Sequence, residues 1–455
     1  MMETGFTIEI SRMANNGKGV GIAPDGKTVF VNGAVPGDRL TVELTGGKSR
    51  FYEARIAEIL TPSPDRIPSD CPDTERCGGC CFRQMTYSRE LEAKTGFVRD
   101  AFRRIGGFDI PCEPILPSPL TEAYRNKAEF ALGTGSDGKL FAGFYSEKTR
   151  RVIPVPNCRL IPEEFLKVTK LFLKIANGSG LRAWDPQTGR GELRHLVLRK
   201  SGLTGEIMLI IVSAVPDLPG SMEISARLRN EISSLTSVIL NTNPDPKAPV
   251  LGLKNHVLSG EGFIRDQICG VPVEIGPLSF FQVNTPAAEI LYRTAAEFAV
   301  IRPEDTVLDL YCGMGTIGLS MAAGCKTLIG GEIVPEAVKS ARLNAAAMGL
   351  TNTRFRCGDA EDIAQTLIRE NIHPTLIILD PPRRGCSPKT LQAVLTLDPS
   401  RIVMVSCDPA TAARDCRILC DHGYTLTRLR PVDLFPRTKH VETCVLLTHP
   451  FMSKS

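Results

Sequence analysis

The chain has 455 residues, 42% hydrophobic and 23% charged, with 54 Lys and Arg against 50 Asp and Glu for a formal charge of +4. This is a globular composition, long enough for two or three domains with substantial cores, and its mild charge neither demonstrates nor excludes a nucleic-acid partner. The start, MMETGFTIEISRM, lacks the charged and apolar regions of a signal peptide, and the longest apolar run, Ile207–Val215, is too short to span a bilayer.

The expectation is therefore a cytoplasmic, monomeric protein with no membrane partner. Fifteen cysteines, an odd number in a reducing compartment, make a poor disulfide framework and are better read as ligands or nucleophiles.

Residues 1–60 show short alternating segments, FTIEI, TVFVNG, RLTVEL and YEARIAEI, separated by NNGKG, PDGK, VPGD and TGGK. Period-two alternation with glycine turns predicts a small antiparallel barrel. Lys18, Lys27, Lys48 and Arg50 in its loops are candidate phosphate contacts, with plain solvated turn residues as the alternative. The module resembles the TRAM domain, an oligonucleotide-binding-like (OB-like) barrel found on RNA-modifying enzymes.

A proline-rich linker, TPSPDRIPSD, opens a middle domain over 61–275. Cys71-x5-Cys77-x2-Cys80 follows, with Cys81 adjacent and Cys158 far downstream. Four thiolates would complete a [4Fe–4S] cluster or a tetrahedral zinc site. The spacing differs from the C-x3-C-x2-C of radical enzymes, so the centre reads as closed and structural, with Cys71, Cys77, Cys80 and Cys158 as ligands and Cys112 as a competitor for the fourth place. Thr86–Arg104 predicts a helix carrying Arg89, Lys94, Arg99, Arg103 and Arg104. With Tyr124, Arg125 and Lys127, and the basic turn 147–151, it offers aromatics among cations, which suit splayed RNA bases and phosphates. Further strands and helices near 163–177 and 221–233 make an α+β unit in which His195 and His256 read as ordinary residues.

The remainder, 276–455, is the catalytic domain. Thr285 as N-cap and Pro286 at N1 predict a helix start that sets Gln282 on the loop feeding it. Strands and helices then alternate, which implies an α/β, doubly wound parallel sheet. In its usual order the fourth and fifth strands lie across the first from the second and third. In TVLDLYCGMGTIGLS the first strand turns through Gly313, Gly315 and Gly318, a G-x-G-x-x-G, into a helix. Glu332 at the end of the next strand is placed to take ribose hydroxyls. The glycine pattern alone fits NAD, FAD or S-adenosylmethionine.

Three more motifs converge on that crevice: DPPRRG from Asp380, SCDPATAARD around Cys407, and KHVET around Glu442. In this order, with the barrel and the cysteine motif before them, they resemble the RNA uracil-C5 methyltransferase family that acts on ribosomal and transfer RNA, and most closely its ribosomal, RumA-type branch. The resemblance implies a Rossmann-like methyltransferase fold and S-adenosylmethionine-dependent 5-methyluridine formation in 23S ribosomal RNA. Cys407 then resembles the family nucleophile and Glu442 the proton-abstracting base, while Gln282, Tyr311, Glu332, Asp359 and Asp380 match cofactor positions. Cys312 and Cys386 are weaker nucleophile candidates. Other readings are a transfer-RNA enzyme, disfavoured by the barrel and the cysteines, an NAD-dependent oxidoreductase, and a non-catalytic RNA-binding protein.

Overall fold

The computed structural model describes residues 5–146, 149, 151–245 and 247–449. The expected basic turn at 147–151 thus falls largely outside the described residues.

At the N-terminus six strands, ordered Gly5–Glu9, Arg39–Lys48, Phe51–Thr61, Thr28–Val31, Gly19–Ile22 and Arg12–Met13, enclose Ile8, Val29, Val31, Leu40 and Val42. The antiparallel expectation needs one correction, because Thr28–Val31 runs parallel to Phe51–Thr61. The long hairpin of Arg39–Lys48 with Phe51–Thr61 brings its second arm back in the direction of Thr28–Val31. Alternation reports which face a residue takes and is silent about strand direction.

The middle region is a seven-stranded mixed sheet. Ile207–Ser213 and Leu235–Thr242 are parallel, joined through the helix Ser221–Glu231, while the other pairs are antiparallel. The helix Glu163–Gly178 buries Phe165, Val168, Phe172 and Ile175 against it. His195 lies within a central strand, where burial lowers its imidazole to about pKa 4, as befits a neutral core histidine.

The helix Tyr87–Arg104 leaves this region and packs on the catalytic half. Thr86 caps it, its hydroxyl accepting from the Arg89 amide at 3.4 Å. Its buried face carries Glu90, Lys94, Val98 and Phe102, four residues apart, one above the other. Lys94, expected among the cations facing RNA, is instead fully buried. Its Nζ donates to Glu90 at 2.8 Å, Asp433 at 2.7 Å and the Phe435 carbonyl at 3.0 Å. Tyr124 is likewise withdrawn from any base-stacking role, being 3% exposed with its hydroxyl donating to the Pro436 carbonyl.

In the C-terminal half the strand order is Thr353–Cys357, Thr327–Glu332, Thr306–Leu310, Leu376–Leu379, Arg401–Ser406, Glu442–Thr448 and Thr425–Val432. The first five are parallel and the last two enter antiparallel. The doubly wound sheet is the one expected, with its order reversing beside Thr306–Leu310, where such sheets open a ligand crevice. The helix Thr285–Ala299 starts one residue earlier than expected: Asn284, not Thr285, is its cap, accepting from the Ala287 amide at 3.4 Å. The Thr285 hydroxyl is occupied elsewhere, accepting from Asn126 Nδ2 at 3.0 Å. Among the described residues no helix is long and apolar enough to cross a membrane.

Candidate active site

The glycine turn departs from the end of Thr306–Leu310 through positive φ at Tyr311 (66°), Gly313 (55°) and Gly315 (80°). The glycines take this conformation at little cost; Tyr311 does not, and so stores strain beside the crevice. At Gly318 the requirement is space, since a Cβ would come within 2.8 Å of Asp309 Oδ2 and 2.9 Å of Leu328. The turn is tied to the next strand by Glu332, whose Oε2 accepts from the Gly313 amide at 3.0 Å and Oε1 from Val334 at 2.8 Å. The expected cofactor residues surround this turn. The Tyr311 hydroxyl donates to Thr390 Oγ1 at 3.5 Å, and burial raises its pKa. Asp359, exposed, caps the helix Ala360–Arg369 by accepting from the Glu361 amide at 3.0 Å. Gln282 reaches the Tyr292 hydroxyl, which pairs with Thr316 Oγ1 at 3.1 Å in the first turn after the glycines.

Beneath the turn lies Asp309, which sequence reasoning passed over. It is 1% exposed; Oδ2 accepts from the Gly318 amide at 3.0 Å, while Oδ1 has no partner among the described residues. Burial, and then the charges of Asp380 and Glu332, push it up to about 8. The available signal was an acid inside an otherwise apolar strand, VLDLY. Asp380, immediately after Leu376–Leu379, is pushed up to about 7 by desolvation.

Cys407 follows the strand Arg401–Ser406, and Glu442 opens its antiparallel neighbour. Ser406 pairs with Thr443 at the end of this ladder, so Cys407, which follows the one, and Glu442, which precedes the other, lie at the same end of the strand pair. Glu442 is 5% exposed, and burial, with a smaller push from Asp380, raises its carboxyl to about 8. Burial and then Glu442 raise the Cys407 thiol to about 11, while Arg383 opposes both. Arg383, from DPPRRG, also reaches His440 Nδ1 at 3.5 Å. Burial, followed by the cations around it, lowers His440 to about 4, so the ring is neutral and able to accept from the guanidinium. Arg383 and His440 stand within quoted motifs, but the motifs alone did not show that Arg383 acts on the Cys407 thiol or that it reaches His440. Of the weaker candidates, Cys312 is buried with its thiol raised well above the usual range, and Cys386 is buried and pushed up to about 12.

Cys407, Arg383 and His440 are among the residues lining a cleft of about 1260 Å³. Its other walls include Arg12 from the N-terminal sheet and Arg89 and Arg99 from the helix Tyr87–Arg104. A groove lined by guanidinium groups from two regions and by a thiol is suited to a phosphate-bearing chain whose base enters the crevice.

The four expected cysteine ligands of the middle region lie within electrostatic reach of one another. Burial raises the thiols of Cys77, Cys80 and Cys158, and each also feels others of the four: Cys77 feels Cys80 and Cys71, Cys80 feels Cys158 and Cys71, and Cys158 feels Cys77. The competitor Cys112 lies elsewhere, against the core of the catalytic half and near Arg99. Arg83, 3% exposed, stands beside Cys80 and lowers its thiol, while its Nη1 is paired with Asp70 at 2.7 Å and Glu122 at 3.5 Å. The donor chemistry thus suits iron–sulfur or zinc. Even so, among the described residues no three His, Cys, Asp or Glu side chains close into a metal-holding group.

Comparison with known proteins gives the class first. The structure superposes on the Pyrococcus abyssi tRNA (uracil-54, C5)-methyltransferase in complex with S-adenosyl-L-homocysteine with a TM-score of 0.76 at 25% identity, covering 97% of this chain and 100% of that one. The "Uncharacterized RNA methyltransferase BH0687" of Halalkalibacterium halodurans is 37% identical over 441 residues, 97% of this chain and 96% of that protein. A protein of the same description from Caldanaerobacter subterraneus subsp. tengcongensis is 38% identical over 442 residues, 97% of each chain. The fold is that of an S-adenosylmethionine-dependent methyltransferase, and the relatives make the chain an RNA methyltransferase. Residues 4–57 match the TRAM domain and 274–450 match the tRNA (uracil-5-)-methyltransferase family. The chain belongs to the RNA uracil-5-methyltransferase family.

Proposed function

We propose that the protein methylates C5 of uridine in 23S ribosomal RNA, with Cys407 as nucleophile and Glu442 as base. The observation that carries this reading is that Cys407 and the buried Glu442 adjoin the paired residues Ser406 and Thr443 at one end of the sheet. Uracil C5 is a weak nucleophile. Addition of the Cys407 thiolate to C6 pushes electrons into an enolate and makes C5 electron-rich. Bound S-adenosylmethionine supplies the electrophilic methyl group. Glu442, in its carboxylate form, then takes the C5 proton, the double bond re-forms and the Cys407–C6 bond breaks. Arg383 offsets the burial that holds the thiol protonated.

In the same reading Glu332 takes the ribose hydroxyls, Asp359 lies near adenine, and Gln282, Tyr311 and Asp380 complete the cofactor contacts. Cys71, Cys77, Cys80 and Cys158 hold a [4Fe–4S] cluster, with zinc as the alternative, and no step of methyl transfer runs through it. Anaerobically purified protein should contain iron and sulfide in about equal amounts, whereas stoichiometric zinc would select the other four-thiolate site. The enzyme works as a cytoplasmic monomer.

Transfer RNA is the second reading, favoured by the substrate of the Pyrococcus protein. Since that protein covers 97% of this chain, its likeness extends into the N-terminal sheet, and the barrel does not separate the two substrates. The ribosomal reading rests on the combined motif set. Mapping 5-methyluridine in 23S ribosomal RNA and in bulk transfer RNA from cells with and without the gene tests both. Loss of a 23S site supports the proposal, and loss confined to transfer RNA overturns it.

A further inference from the structure

The nine residues 433–441 connect the strand Thr425–Val432 to Glu442, and many of their anchors come from the helix Tyr87–Arg104 and the segments flanking it. The Asp433 carboxylate accepts from Lys94 Nζ at 2.7 Å and from the Tyr87 hydroxyl at 2.8 Å. The Phe435 carbonyl accepts from the same ammonium, the Pro436 carbonyl from Tyr124, and the Arg437 amide donates to Glu90 at 2.7 Å. The Arg437 carbonyl accepts from the Cys81 amide at 2.9 Å, which helps hold the residue at a φ of 67°. Lys94, Glu90 and Asp433 are all 0% exposed. From this triad the loop runs to His440, beside Arg383, and on to Glu442.

We infer that Lys94, with Glu90 and Asp433, is a positioning residue for the base Glu442: the buried ammonium locks the connecting loop and so sets the carboxylate over the C5 proton. This rests on the assignment of Glu442 as base. Proton abstraction needs hydrogen-bond reach, and a displacement of about 1 Å costs on the order of 100-fold in rate. Cys407 is carried by another strand end, so adduct formation survives when the loop shifts. Slow proton removal then leaves the Cys407–C6 bond intact after methyl transfer.

The experiment compares wild type, Glu442→Gln and Lys94→Met with a uridine-containing ribosomal RNA fragment and S-adenosylmethionine. It measures 5-methyluridine, denaturation-resistant protein–RNA adduct and S-adenosylhomocysteine affinity. Lys94→Met should form product about 100-fold more slowly, accumulate adduct as Glu442→Gln does, and bind S-adenosylhomocysteine within about twofold of wild type. A protein that is merely destabilised loses product and adduct together. Where the single variant does not fold, the neutral combination Glu90→Gln, Lys94→Met and Asp433→Asn carries the same expectation. Wild-type turnover in a folded variant, or lost product without adduct while S-adenosylhomocysteine still binds, overturns the inference. Absence of adduct in Glu442→Gln itself overturns the base assignment, and the inference with it.

Discussion

Two groups of buried charge lie at opposite ends of the loop 433–441, and they are built in opposite ways. At its start Lys94, Glu90 and Asp433 are wholly buried and mutually bonded, a cation between two carboxylates. At its end the carboxyls Asp309, Asp380 and Glu442 crowd one crevice, and burial dominates each of them, raising them to about 8, 7 and 8. A paired buried charge fixes a shape, whereas a carboxyl held near neutrality is ready to exchange a proton. The first group lends the second its geometry.

The harshest test of the crevice is Cys407→Ala, expected to lower 5-methyluridine formation by at least about 10⁴-fold by mass spectrometry of digested RNA, since a nucleophile has no substitute. Normal product would remove the thiol from the mechanism. The two charge groups should next diverge in stability. Asp433→Ala strips a partner from a buried cation and should cost about 3–5 kcal/mol, read as an earlier thermal transition. Glu442→Gln should act in the opposite direction at pH 8. The folded carboxyl holds its proton up to about pH 8, while the unfolded one has released it by about pH 5. Wild-type stability from this group is therefore lost as pH rises between those values, and glutamine is spared that loss. A gain of about 1–3 kcal/mol at pH 8, shrinking toward pH 5, is expected; equal transitions at both pH values would mean that Glu442 is not held protonated.

Activity should run the other way with pH. Both Glu442, near 8, and Cys407, near 11, must lose protons to complete the reaction, so single-turnover 5-methyluridine formation should climb between pH 7 and 9. A flat profile would separate the rate-limiting step from either group. The smallest effect belongs to Arg383→Ala, which removes the cation opposing thiol protonation and should slow alkylation of Cys407 by iodoacetamide about tenfold.

Much of the catalytic sheet was legible because its strands are apolar on both faces and its turns carry glycine, proline and acids at fixed places. Glu332 at a strand end and Cys407 beyond another were readable for that reason. Lys94 was not. On a helix bearing Arg89, Arg99, Arg103 and Arg104 it looked like one more surface cation, because its partner Asp433 lies 339 residues away. Tyr124 failed similarly, since an aromatic beside Arg125 gives no sign that a distant carbonyl will cover its hydroxyl. Local pattern also could not report the parallel pairing in the N-terminal sheet, which depends on how a later hairpin returns.

The Lys94–Asp433 contact has a bearing on how the protein comes into being. A growing chain displays Glu90 and Lys94 long before residue 433 exists, and their burial must wait until almost the whole polypeptide has been made. A contact of such sequence separation is slow to form and late to close. Glu442 therefore reaches its place beside the crevice only after both halves of the chain have met, and a prematurely terminated polypeptide, even one retaining the entire glycine turn, has no means of placing the carboxyl proposed as its base.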